Sequence, residues 1–204
     1  HRPERSLPPA ADLVGVVARR VPAGGDGRLT GFSGPGPGEP RRTIINYCSE
    51  CGSSRIEWRV PEGDTAPRDV CAACGAIHYR NPKVVVGCLA TLGTEVLLCR
   101  RAIEPRRDLW TLPAGFMENG ETLEQGAARE TLEEANARVE MGGLYTVISL
   151  PHISQVYVMF LARLADRGFG PGPESLEVRL FREEEIPWER LAFRTIARTL
   201  RQYF

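Results

Sequence analysis

The sequence predicts an α+β fold: a compact sheet covered by helices, with a small four-cysteine module ahead of it. Four apolar runs with strand character, Val84 to Ala90, Glu95 to Cys99, Leu144 to Leu150 and Gln155 to Leu164, occur together with two helical patterns. Before them, Cys48-x-x-Cys51 and Cys71-x-x-Cys74 stand 19 residues apart in a short, turn-rich stretch. The 204 residues, 42% apolar and 25% charged, suffice for one good-sized core with a small appendage.

Composition divides the chain into three segments. Residues 1–43 hold seven Pro and eight Gly and are expected to be disordered. Glu4, Asp12, Asp26 and Glu39 argue against a transit peptide there, and Leu13 to Val17 is too short for a secretory core. Residues 44–80 make the cysteine module and residues 81–204 the main domain. No apolar run approaches the roughly 18 residues that cross a bilayer, so no membrane partner is expected and the cytoplasm is the expected compartment. Acidic and basic residues balance at 26 each, which removes the charge footprint of a protein that coats nucleic acid. Nucleic acid is therefore not the expected partner, and an anionic ligand must be met by a local site. Lys83 is the one lysine among 26 basic residues, which reads as compositional bias.

Cys48, Cys51, Cys71 and Cys74 have the two-knuckle spacing of a tetrahedral zinc ribbon. Gly52 and Gly75 follow the pairs and allow turns tight enough for backbone amides to face the thiolates. Two disulfides would need an oxidising compartment, for which the sequence carries no targeting signal. With cysteine at all four positions no place remains for a catalytic water. A module this small cannot build a core unaided, so Zn²⁺ is expected to be structural. Cys88 and Cys99 lie within apolar runs and read as buried small hydrophobes.

A helix is expected from Thr122 to Ala137. Thr122 and Gln125 have capping-box spacing, and Leu123, Ala127, Ala128, Thr131, Leu132 and Ala135 supply a buried face. A second, C-terminal helix carries Leu191, Thr195, Ile196, Thr199, Leu200 and Tyr203 at helical intervals. On the first helix Glu130, Glu133 and Glu134 occupy i, i+3 and i+4, which sets three carboxylates on one face. A solvated acidic face is the plain reading of such a trio. The apolar segment from Leu109 to Pro113 and the glycine-containing loop before it favour the alternative, a set of hard oxygen ligands for Mg²⁺ or Mn²⁺.

The run from Gly115 to Glu134 resembles the Nudix box, G-x5-E-x7-R-E-U-x-E-E-x-G-U with U aliphatic. Gly115, Glu121, Arg129, Glu130, Glu133 and Glu134 fall in place, six constrained positions over 20 residues. Thr131, Asn136 and Ala137 depart from it, but none removes a metal ligand, and Asn is the best substitute for Gly at a left-handed helix end. With the four-cysteine ribbon and the stretch from His78 to Lys83, the chain from about residue 45 is similar to the zinc-ribbon Nudix hydrolases. That group includes bacterial NADH pyrophosphatases and plant plastid FAD and ADP-ribose pyrophosphatases.

The resemblance implies an α/β/α sandwich with a mixed sheet, a homodimer, and a set of residue roles. Glu130, Glu133, Glu134 and the carbonyl of Gly115 would hold the catalytic Mg²⁺ or Mn²⁺. Arg129 and Glu121 would pair to fix the loop on the helix. A metal-bound water would attack phosphorus and release AMP. In several family members a base comes from a loop beyond the box; Glu174 and Glu177 are the acidic candidates here, in a Pro/Gly-containing segment. NADH pyrophosphatases carry Ser-Gln-Pro-Trp-Pro-Phe-Pro downstream of the box, whereas this chain has Ser-Leu-Pro-His-Ile-Ser-Gln from Ser149 to Gln155. The expected substrate is therefore a dinucleotide or nucleotide-sugar, ADP-ribose or FAD ahead of NADH, with His152, Gln155 and Tyr157 placed to read its second moiety. Two other classes remain: a non-catalytic nucleotide sensor, which has no need of the full ligand set, and a hydrolase of NAD-capped RNA, which the neutral charge disfavours.

Overall fold

The computed structural model describes residues 45–204, so the expectation for residues 1–43 lies outside the described residues. These residues divide into two compact units, 45–81 and 82–204.

In the first unit β1 (Ile56–Arg59), β2 (Arg68–Cys71) and β3 (Ile77–His78) form an antiparallel sheet in that order. Its apolar interior is little more than Val70 and the cysteines. Arg80 donates to the buried carboxylate of Asp69 at 2.7 Å. Asp64 accepts from Arg68 at 2.9 Å, and that guanidinium holds its carboxyl down at about 2.

In the second unit a seven-stranded mixed sheet is built from β4 (Lys83–Leu92), β5 (Glu95–Arg101), β6 (Trp110–Thr111), β7 (Ala114–Phe116), β8 (Val139–Leu150), β9 (Gln155–Leu164) and β10 (Ser175–Phe181). The path runs β10-β5-β4-β9-β8, with β6 on β5 and β7 on β4. Only the β4–β9 pair is parallel. Helices α1 (Leu123–Ala135) and α2 (Arg194–Tyr203) cover opposite faces. Strand alternation makes both cores at once. Val86, Cys88, Ala90, Leu97 and Cys99 face α1, while Leu89, Val96 and Leu98 face α2. The expected sandwich with a mixed sheet is what the chain forms.

Helix α1 starts on the expected capping box, Gln125 N–H donating to the Thr122 hydroxyl and Gln125 Oε1 accepting from Thr122 N–H. It ends at Asn136 in the left-handed region, φ 47°. Its sheet-facing side takes Gly126, Ala127, Thr131 and Ala135, small enough for close approach. The Thr131 hydroxyl is satisfied by the Ala127 carbonyl at 2.8 Å.

Three expectations need correction. Leu132 is exposed, because the narrow strip of small residues that touches the sheet turns its position outward. Leu191 lies ahead of α2 and not in it, where it bridges to Trp110 and packs against the core that α2 covers. The segment read as a loop around Glu177 becomes strand at Ser175, so Glu174 is in a turn and Glu177 is on β10.

Candidate active site

The site forms where α1, β7 and the segment before β10 meet. Glu130 and Glu134 are buried on the sheet-facing side of α1, one turn apart, while Glu133 is exposed. The trio therefore does not form an even acidic face: two members are turned inward. A Cβ on Gly115 would overlap the Glu130 carboxylate and push it from its present place, so glycine lets that carboxylate lie directly against β7. Glu134 Oε2 accepts from the Ala114 N–H at 3.3 Å. Burial, and then repulsion from Glu130, pushes the Glu134 carboxyl up to about 8. Burial also raises Glu130, against the pull of Arg129.

Arg129 does more than the expected pairing. Its guanidinium donates to Glu121 at 2.8 and 2.9 Å, to Glu130 at 2.8 Å, to Glu133 at 3.0 Å and to the Phe116 carbonyl at 3.1 Å. Glu121 also accepts the Glu118 N–H at 2.7 Å, and Arg129 first, then this amide, hold its carboxyl at about 2. One cation thus ties the loop after β7 to α1.

The segment before β10 is fastened to the end of the same helix. Gly170 N–H donates to the Ala135 carbonyl at 2.8 Å, Gly172 N–H to the Glu134 carbonyl at 3.0 Å, and Asn136 Nδ2 to the Pro171 carbonyl at 2.9 Å. These amides satisfy helix carbonyls that would otherwise lack partners. A Cβ on Gly172 would overlap the Glu133 carbonyl. Glu174, carried by this segment, raises the carboxyls of Glu130 and Glu134, so its charge reaches the cluster. Glu177 instead pairs with Arg100 at 3.2 Å.

His152 is exposed in a single 3-10 turn, Pro151–Ile153. Gln155 and Tyr157 are half-buried at the start of β9. Arg101 escaped the sequence reading. It ends β5, its Nε donates to the Pro105 carbonyl at 2.9 Å, its guanidinium lies 5.3 Å from the Phe193 ring centroid, and its charge partly offsets the rise that burial imposes on Glu134 and Tyr157. The available signal was a pair of arginines closing an apolar strand.

The second metal arrangement is in the ribbon. Among the described residues, Cys48, Cys51, Cys71 and Cys74 are the group whose ligand atoms all lie within 4.8 Å of one another. The Cys48–Cys74 and Cys51–Cys71 sulfur separations are 3.7 and 3.6 Å. A Zn–S bond of about 2.3 Å gives tetrahedral edges near these values, so the sulfurs fit zinc as they stand. All four cysteines are free thiols. Gly52 and Gly75 adopt the left-handed turns expected, φ 74° and 78°. The Cys74 and Ala73 amides hold the Cys71 thiol down to about 6, while at Cys74 the pull of the Ala76 amide is outweighed by the crowding of the other thiols, which pushes it up to about 12.

A buried carboxylate pair pressed against a glycine strand, with a separate module of four converging cysteines, is the arrangement of a protein with two places able to hold divalent cations. Comparison with known proteins identifies it further. The NUDIX domain model matches residues 81–203, and the Nudix N-terminal zinc-ribbon model matches residues 46–80. The chain belongs to the Nudix family. A NUDIX hydrolase from Nitrosomonas europaea, solved as a crystal structure, is 63% identical, with a TM-score of 0.75 over 78% of this chain and 90% of that one. The NAD-capped RNA hydrolase NudC of Yersinia enterocolitica is 30% identical over 146 residues, 69% of this chain and 52% of the relative. The NudC of Stutzerimonas stutzeri is 32% identical over 146 residues, 69% and 49%. The chain thus spans about half the length of these curated relatives.

Proposed function

We propose that the chain is a divalent-metal-dependent pyrophosphohydrolase. It cleaves the diphosphate joining an adenylate to a second moiety, ADP-ribose or FAD ahead of other substrates, and releases AMP. One observation carries this reading: Glu130 and Glu134 are buried together against Gly115 and Ala114, and that burial raises both carboxyls. Buried carboxylates are stable when they coordinate a metal, and oxygen donors suit Mg²⁺ or Mn²⁺.

In this proposal Glu130, Glu133, Glu134 and the Gly115 carbonyl are the ligands. The bound cations supply an acidified water and neutralise charge on the diphosphate oxygens. Arg129 and Glu121 hold the loop so that Gly115 stays against the helix. Glu174, whose charge reaches the cluster, takes up the proton of the attacking water; Glu177, neutralised by Arg100, does not. Arg101 faces the cluster as a cation with a carbonyl behind it and meets a phosphate oxygen. His152, Gln155 and Tyr157 line the approach of the second moiety. The four cysteines hold structural zinc, and the enzyme is a homodimer acting in the cytoplasm.

A second reading has its own support. Two relatives at about a third identity are named NAD-capped RNA hydrolases, so NADH or an NAD-capped RNA end is the competing substrate. Release of AMP from ADP-ribose, FAD and NADH, with Mg²⁺ or Mn²⁺ and beside Glu133→Gln, separates these readings by the fastest substrate. Nucleotide binding without turnover of any of them, or of NAD-capped RNA, would move the assignment to a sensor.

A further inference from the structure

The charges of the chain balance, 26 acidic against 26 basic, but they are not evenly spread. Residues 190–204 hold four arginines and no acidic side chain. Three of them, Arg194, Arg198 and Arg201, occupy i, i+4 and i+7 on α2, so they share one helical face, and all three are exposed. The opposite face of α2 is buried in the second core through Ile196 and Leu200.

Elsewhere in residues 82–204, Arg100, Arg129, Arg163, Arg167 and Arg179 each pair with a carboxylate. Among the described residues, none of the three α2 arginines does. The acids just ahead in the chain do not reach them: Glu185 is engaged by Arg179 at 3.9 Å and by the Arg182 N–H at 3.0 Å. The first turn of α2 has neither an acid nor a side-chain cap, so its free N–H groups add to the positive potential. Aromatic rings accompany the charges. Arg201 lies 5.5 Å from the Trp188 ring centroid, and Phe204, three residues further on, is exposed. At the other end Arg194 follows Phe193, whose ring meets the Arg101 guanidinium at 5.3 Å, and the charge of Arg101 reaches Glu134. Positive groups therefore run from the acidic cluster to the end of α2.

We propose that Arg194, Arg198 and Arg201 are a docking track for a single-stranded RNA that continues from the adenylate half of the substrate. The proposal rests on the pyrophosphohydrolase reading and extends its substrate class from free dinucleotides to RNA ends. Water cleaves the same diphosphate, and a 5′-monophosphate RNA leaves in place of AMP, together with the other phosphorylated fragment. From Arg194 to Arg201 the helix rises about 10 Å, the length of about three phosphate steps in a stacked strand. Guanidinium groups suit phosphate oxygens, and arginines beside exposed rings are the make-up of a sequence-tolerant single-strand site. A lipid surface fits less well, because an interfacial helix inserts its apolar face and that of α2 is already buried.

The test uses the full chain in EDTA, where nothing is hydrolysed, with a 5′-monophosphate RNA of about ten nucleotides followed by fluorescence anisotropy. Three phosphate contacts give an affinity that falls with salt at a log–log slope of about −2. Arg194→Gln, Arg198→Gln and Arg201→Gln together keep helix propensity, weaken binding about ten-fold or more at low salt, and flatten that slope. Arg163→Gln, which removes an exposed arginine of β9, does neither. With Mg²⁺ the triple variant raises KM for an NAD-capped RNA about ten-fold and leaves free NAD⁺ and ADP-ribose within about two-fold. Binding that ignores salt, a triple variant no weaker than Arg163→Gln, or no gain in kcat/KM from the RNA body would overturn the proposal. Equal, track-dependent binding of polyglutamate would make the face a site for an acidic protein and overturn it too. Absence of turnover on every substrate would be a failure of the pyrophosphohydrolase reading, and the binding measured in EDTA then decides the track by itself.

Discussion

Glu134→Gln gives the most direct view of what the metal-free site costs the fold. Burial beside Glu130 lifts the Glu134 carboxyl from 4.5 to about 8. A group whose folded pKa is raised binds its proton more tightly in the native state. Its stabilisation is fully present below about 4.5 and is lost as pH rises through about 8. At about 1.4 kcal/mol per unit, the ionised carboxylate destabilises the metal-free protein by up to about 5 kcal/mol at pH 9. For a chain of this size that is roughly 10 °C or more in thermal midpoint. Glutamine keeps the shape and can still accept the Ala114 N–H, but carries no charge. In buffers freed of added divalent cations, the variant should therefore melt with the wild type at pH 5 and well above it at pH 9. Mn²⁺ should close the gap by raising the wild type alone. Melting curves that stay parallel from pH 5 to 9, with Mn²⁺ raising both proteins equally, would refute the reasoning.

Glu133 is exposed, so Glu133→Gln should lower kcat by about 10²- to 10³-fold while shifting the thermal midpoint by no more than about 1–2 °C, as read by AMP release and calorimetry. Glu174→Gln should cost about ten-fold or more in kcat, while Glu177→Gln, which breaks only a surface pair with Arg100, should stay within about two-fold. Cys74→Ser should lower bound zinc below one per chain and speed hydrogen exchange across residues 45–81, because Val70 alone is too small a core to hold three short strands. Slow exchange there without zinc would contradict a structural role for the metal.

What could be read in advance, and what could not, divides along physical lines. The shared face of Glu130, Glu133 and Glu134 was legible because helix geometry sets i, i+3 and i+4, and the box itself from the match of six positions to a family pattern; the Thr122 cap and the left-handed Asn136 were legible from local rules. The four cysteines were legible because knuckle spacing is a local property. Burial within the acidic trio was not legible: which carboxylates turn inward depends on the close pass of β7 at Gly115, a tertiary contact. The strand at Ser175–Phe181 was overlooked although Leu176, Val178 and Leu180 alternate with Glu177 and Arg179, because Pro171, Gly172 and Pro173 just before it carry a loop signal that masked where the pairing begins. Arg101 matters through the neighbours that the fold brings to the end of β5, and nothing in its own stretch of chain announces them.

The clasp between the end of α1 and the segment carrying Glu174 has a consequence for how this scaffold can diversify. Two amides of that segment donate to carbonyls of the helix that also bears the acidic cluster, the Asn136 side chain at the helix end donates back to the Pro171 carbonyl, and Gly172 leaves no room for a side chain between them. An insertion there would uncap the helix and shift its acids together, so the segment is a poor place to evolve a new preference. The 3-10 turn at Pro151–Ile153 joins β8 to β9 and, among the described residues, has no comparable backbone tie to α1. On the proposed function, sequence change in descendants of this chain can accumulate in that turn and retune which molecule is bound while the acidic cluster stays fixed.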